Sequence, residues 1–291
     1  MFRLGAITDE ISEDFERALD IVGKWGLQDV EIHTLWDTHV EALTDEQTTY
    51  LQGILQRRQL HLAVLDSTAF LRCPLRGVTI PENWSKRFQS IGGTYDVHLS
   101  ALERCLQIAQ RLKVPCVRIF GFWGEGELTQ EVIREIVDRL QAPIELAAQA
   151  GVVLVLENCP HTYLDHTRHV LRVLELADSP YLRLLWDPSN AYRSGEKDVA
   201  DLVNEVSPFL AHMHVKGVTL NALATRGREY VVIEKGDIDY RRLLGEVAAA
   251  GYNGIVSLEP HYALPKSGRE GAARESFTSL RRIVDSLEQR V

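Results

Sequence analysis

Eight short apolar, β-rich runs alternate along this chain with longer segments whose apolar residues recur at helical spacing, and this alternation limits the fold more than any other feature. The runs cover residues 2–7, 29–33, 60–65, 116–120, 152–157, 182–187, 210–215 and 254–259. Between them, Phe15, Leu19, Ile21, Val22 and Trp25 mark one helix face. Leu102, Leu106, Ile108, Ala109 and Leu112 mark a second, and Ile133, Ile136, Val137, Leu140, Ile144 and Leu146 a third. Ser12 and Thr44 are read as helix N-caps, and Gly26, Gly151 and Gly251 as glycines that end helices before a strand. Strand–helix units in series favour a parallel sheet with helical crossovers, and eight of them close into a barrel. An open doubly wound sheet is the main rival. The first turn, Thr8-Asp9-Glu10-Ile11-Ser12, lacks glycine, and no G-x-G-x-x-G follows a strand, so a dinucleotide site is not expected. The 291 residues fit one barrel domain, residues 1–291, with long loops at 73–81 and 217–236. In a barrel, such loops cover the end of the strands where catalysis occurs.

Four polar residues stand where four of the runs end: Glu157, Asp187, His214 and Glu259. Their spacings of 30, 27 and 45 residues match one βα unit, one unit, and one unit plus the long loop. A closed parallel barrel therefore brings all four to one rim. Alone, a carboxylate at a strand end usually caps a helix or faces water, and a histidine in an apolar run usually hydrogen-bonds within the core. Together, three carboxylates and an imidazole make a first shell for one divalent metal with positions open to substrate.

Hydrophobic residues make up 45% of the chain and charged residues 25%, which is enough for a full core. The net charge of −9, from 32 basic and 41 acidic residues, argues against a broad nucleic-acid surface but leaves room for a small anion. Cys73, Cys105, Cys116 and Cys159 form no CxxC pair. Scattered thiols, an N-terminus unlike a signal peptide and the lack of a membrane-length apolar run lead to the expectation of a cytoplasmic protein that uses no membrane.

Several motifs carry a family resemblance. They are Leu156-Glu157-Asn158, Trp186-Asp187-Pro188-Ser189-Asn190-Ala191-Tyr192, His212-Met213-His214-Val215-Lys216 and Ser257-Leu258-Glu259-Pro260-His261. Lys235-Gly236-Asp237-Ile238-Asp239-Tyr240 and Ala250-Gly251-Tyr252-Asn253-Gly254 add to them. The chain resembles the xylose-isomerase-like TIM-barrel superfamily of sugar and sugar-phosphate isomerases and epimerases, most strongly in its last four βα units. The resemblance implies a single Mn, Mg, Co or Zn ion held by Glu157, Asp187, His214 and Glu259. It also implies proton transfer next to a substrate carbonyl through an enediolate, with Glu157 and Glu259 as the two catalytic bases on opposite faces.

Asn158, His161, Asn190, Lys216, His261 and Trp36 are the candidate substrate contacts. Glu31 is expected to hydrogen-bond a histidine or lysine near the ion, and Arg118, inside a strand, to meet a carboxylate. Phe70, Phe122 and Trp123 are expected either to wall the mouth or to fill loop cores. Arg193, Arg226 and Arg228 are possible phosphate contacts. Two positions depart from the superfamily: Asn190 stands where many members carry His, and Gly217 where many carry Asp. His33 and His61 fit poorly as the early-strand zinc ligands of the related DNA-repair endonucleases, so that reading is demoted. A dehydratase of polyol- or shikimate-type keto substrates on the same site is the main alternative, and a sugar-binding barrel without catalysis another. The partner is a small carbohydrate; a homo-oligomer is compatible with the sequence.

Overall fold

A computed structural model describes residues 2–80, 90–124, 126–220 and 229–289. Eight parallel strands close into a barrel. They are β1 (Arg3–Ile7), β2 (Asp29–Ile32), β3 (His61–Leu65), β4 (Cys116–Phe120), β5 (Val153–Glu157), β6 (Leu182–Trp186), β7 (Leu210–Val215) and β8 (Ile255–Leu258). Each pairs with its sequence neighbours, and β1 closes the ring on β8 with Gly5 opposite Ser257. The main helices outside are α1 (Phe15–Lys24), α2 (Asp45–Arg58), α3 (Tyr95–Leu112), α4 (Gln130–Ala150), α5 (Thr167–Ala177), α6 (Pro188–Ser194), α7 (Tyr240–Ala249) and α8 (Gly268–Glu288). The sequence runs that read as strands are the barrel strands to within a residue or two, because strands covered on both faces must be continuously apolar.

Thr44 caps α2 through a reciprocal pair with Gln47, at 2.9 and 3.1 Å. The other cap expectation is corrected. Asp14, not Ser12, caps α1, accepting from the Arg17 amide at 3.0 Å. A single turn at Thr8–Ile11 follows β1 directly, and Ser12 ends that turn in extended backbone. Gly151 closes α4 in the left-handed region, at φ 66°.

The main core lies between strands and helices. A second cluster of Ala63, Val64, Val155, Leu185 and Ile255 is separate from it. Val155 and Leu185 lie two residues before Glu157 and Asp187, and Ile255 four before Glu259. Strand alternation therefore puts them on the same faces as those polar residues, deeper in the barrel. The apolar layer seals the lumen beneath the polar rim.

The antiparallel ribbon of Gly217–Thr219 with Glu229–Val231 explains one departure noted above. A Cβ at Gly217 would lie 2.3 Å from the Val231 carbonyl oxygen and 2.7 Å from the Val232 carbonyl carbon. These are backbone atoms, and they leave no room for an Asp side chain here. Gly217→Asp is expected to force the ribbon open and cost about 3 kcal/mol, the upper end for overpacking. A melting temperature equal to wild type would show that the ribbon tolerates the side chain.

Candidate metal centre

Glu157 ends β5, Asp187 follows β6, His214 lies one residue before the end of β7, and Glu259 follows β8. The structure gathers all four, with one ligand atom from each within 4.8 Å of the others, and all are buried. Like charges this close repel by on the order of 4 kcal/mol per pair at an effective dielectric of 20. Two cations offset part of that. The Lys216 ammonium lies 2.7 Å from Asp187 Oδ2 and pairs with Glu259 Oε2. The Arg118 guanidinium donates to Glu157 Oε2 at 3.2 Å.

The histidine is oriented for ligation. Glu31 Oε2 holds His214 Nε2 at 3.0 Å, while Glu31 Oε1 holds His212 Nε2 at 2.7 Å. His214 Nδ1 faces the carboxylates, 3.5 Å from Glu259 Oε2 and 4.0 Å from Glu157 Oε1, and it is buried without a hydrogen-bond partner. A ring nitrogen left bare among three carboxylates, its partner nitrogen fixed by a fourth, is a donor set that fits a divalent ion. Glu31→Gln is expected to weaken binding of such an ion 10- to 100-fold, read by equilibrium dialysis with Mn or Zn. Unchanged affinity would reduce Glu31 to a core partner of His212.

The two glutamates differ. Burial raises the Glu157 carboxyl above its ordinary range, with Arg118 and His214 pulling the other way. Its Oε1 also accepts from Asn190 Nδ2 at 3.0 Å. Burial acts on Glu259 as well, but His261 and Lys216 outweigh it and hold that carboxyl well below the usual range. His261 places Nε2 3.2 Å from Glu259 Oε1 and Nδ1 2.7 Å from Glu10 Oε1.

A cavity of about 380 Å³ opens over this cluster. Asn190, Lys216, His161 and His261 line it, as does Trp123, whose ring stacks on His161 at 6.0 Å. Two expected contacts lie elsewhere. Trp36 packs against Phe15 at 5.6 Å and Tyr50 at 5.4 Å, because the ribbon of Thr34–Leu35 with Thr38–His39 turns it toward the helices. Asn158 bridges strand ends instead, donating to the Asp187 carbonyl at 2.7 Å and accepting from its amide at 2.8 Å. Phe70 and Phe122 pack against each other at 5.0 Å with their rings tilted, in the loop core. His61 is exposed at the start of β3, far from the rim, whereas His33 lines the cavity and pairs with Asp9 at 3.1 Å. Arg226 and Arg228 lie outside the described residues.

Sequence reasoning passed over Asp66, Asp9, Glu10, Arg72 and Tyr230. Asp66 directly follows β3, so the signal that marked Glu157 was present there too. It is fully buried, its Oδ1 lies 3.6 Å from Arg118 Nε, and burial drives its carboxyl well above the ordinary range despite that cation.

Eight parallel strands closed into a ring, with this donor set at their C-terminal ends, define an α/β barrel with a candidate metal site. Residues 19–283 match the family model described as xylose isomerase-like TIM barrel, and the chain belongs to that family. It is 25% identical over 215 residues to an inosose dehydratase of Geobacillus thermodenitrificans (strain NG80-2), covering 64% of this chain and 70% of that protein. Among solved structures, the IOLI protein with a binding zinc atom superposes with a TM-score of 0.76 at 16% identity, over 98% of this chain and 99% of that one. The probable 3-DHS dehydratase AsbF from Bacillus anthracis superposes with a TM-score of 0.71 at 20% identity, over 96% and 99%. No helix among the described residues is long and apolar enough to cross a membrane.

Proposed function

We propose that this protein is a metal-dependent enzyme that removes a proton next to the carbonyl of a polyhydroxylated ketone and acts as an isomerase or epimerase. The observation that carries the reading is the convergence of Glu157, Asp187, His214 and Glu259 beneath a sugar-sized cavity. A divalent ion held by these four residues would polarise the substrate carbonyl as a Lewis acid. Glu259, held ionised, accepts the proton. The Lys216 ammonium, fixed between Asp187 and Glu259, donates a hydrogen bond to a substrate oxygen as negative charge develops there. In isomerisation Glu259 hands the same proton to the neighbouring carbon; in epimerisation Glu157, whose carboxyl burial raises, enters the reaction protonated and gives that proton to the opposite face, leaving Glu259 protonated.

A second reading rests on His261. Glu10 supports this imidazole 2.7 Å away and, with Glu259, raises its pKa against the effect of burial. An imidazolium beside the base supplies the acid that protonates a departing hydroxyl, so the same enolisation would end in loss of water. The names of the dehydratase relatives support this outcome.

Incubation in deuterium oxide with Mn, Mg, Co or Zn and a panel of ketoses and cyclic polyol ketones tests both. Metal-dependent deuterium uptake at the carbon beside the carbonyl is expected, abolished by chelator and seen by NMR. An epimer or isomer supports the first reading, and an enone absorbing in the ultraviolet supports the second. A protein that binds none of the four ions and exchanges no proton is not an enolising enzyme.

A further inference from the structure

We infer that the substrate is an anion, carrying a carboxylate or a phosphate ester that Arg72 and Arg193 receive. The inference rests on the reading of the cavity as a substrate site and names the class of molecule it takes. The carboxylates that line the cavity have partners within it. Asp9 shares a hydrogen bond with His33 at 3.1 Å and Glu10 with His261 at 2.7 Å, while Glu157 meets Arg118 at 3.2 Å and Glu259 meets Lys216.

Arg72, in the loop after β3, and Arg193, in α6 after β6, also line the cavity, and among the described residues neither pairs with a carboxylate. Arg72 donates from one terminal nitrogen to the Ser90 carbonyl at 3.4 Å, a long bond, and its Nε is buried without a partner. Its guanidinium lies over Gly92, where a Cβ would come within 3.1 Å of a terminal nitrogen. Arg193 donates to the Tyr230 hydroxyl and lies over that ring at 4.9 Å, and its Nε is likewise buried without a partner.

A guanidinium cannot shed its proton to escape burial, and each bare N–H costs desolvation energy that only an acceptor returns. Carboxylate and phosphate oxygens match its fork of donors. A neutral polyol would leave two half-buried cations uncompensated at the mouth of its own site. An anionic substrate supplies the missing charge and gains orientation over the ion. This chemistry separates such a substrate from an otherwise similar free ketose.

The test is isothermal titration calorimetry of the metal-loaded protein with two matched probe pairs. One is D-fructose 6-phosphate against D-fructose. The other is 3-dehydroshikimate against a neutral cyclic polyol ketone. At least one anion is expected to bind tenfold or more tightly than its neutral counterpart, and the pair that shows it distinguishes phosphate from carboxylate. That advantage should shrink in R72Q and in R193Q and fall below threefold in the double variant, with metal content and melting temperature unchanged. Neutral probes that bind as well as anions in the wild type would overturn the inference, as would an anion preference that survives the double substitution. Arginine-dependent anion binding without metal binding or proton exchange would remove the enolisation reading and leave this one. Metal-dependent exchange on a neutral ketone, indifferent to both arginines, would do the reverse.

Discussion

Replacing Glu259 by glutamine is expected to lower kcat by about 10²–10⁴-fold, the usual contribution of a positioned general base, while the barrel stays folded. The amide keeps the size of the side chain and one oxygen for ligation but cannot take a proton. The loss should fall on kcat more than on KM, because the proton moves only in the transition state. Lys216 keeps Asp187 at 2.7 Å, so the buried ammonium is not stranded. Glu157→Gln should also be severe, but for a different reason. Both oxygens of that carboxylate already accept hydrogen bonds, from Asn190 and Arg118, and the amide would turn a donor toward one of them. Steady-state kinetics beside thermal melts decides the matter. More than a tenth of wild-type activity in the Glu259 variant would take that residue out of the proton-transfer role.

Arg118→Met is expected to be the most destabilising single change at the site. Arg118 is 6% exposed, and its guanidinium donates to Glu157 and to the carbonyls of Asp66 and Ser67 and lies 3.6 Å from the Asp66 carboxyl. Methionine fills similar volume but leaves the Glu157 carboxylate without its cation. Breaking a buried pair from one side costs about 3–5 kcal/mol. For a chain of this size that is a fall in melting temperature on the order of 10 °C. The Asp66 carboxyl adds less to the cost, because burial already favours its neutral form. A variant that melts within about 2 °C of wild type would show that Arg118 contributes little to the folded state, and that metal or water takes its place beside Glu157.

The candidate site was only partly legible in the chain. Glu157, Asp187, His214 and Glu259 stood out because each follows or ends an apolar run, and a barrel brings such positions to one rim. Glu31 could be connected to a histidine near the ion because it stands near the end of its own run, though not that it would hold two imidazoles at once. Asp66 carried the same mark and was passed over. Trp36 and Asn158 sat at plausible positions yet turned to other partners. The direction of a side chain in a loop depends on local backbone, as at Trp36 with its φ of 50°, and periodicity says nothing about that.

By itself, the sequence determined the number and order of the strands, their continuous apolar character and the rim to which their polar ends belong. These follow from periodicity and composition within a few residues, which each segment carries independently of the rest. Tertiary structure alone decided which charges meet: Glu31 with His212 and His214, Arg118 with Glu157 and Asp66, and Arg72 and Arg193 with no acid partner among the described residues. Such pairings join strands far apart in the chain. They are fixed by the closure and register of the ring, where a shift of one residue would turn every side chain to the other face.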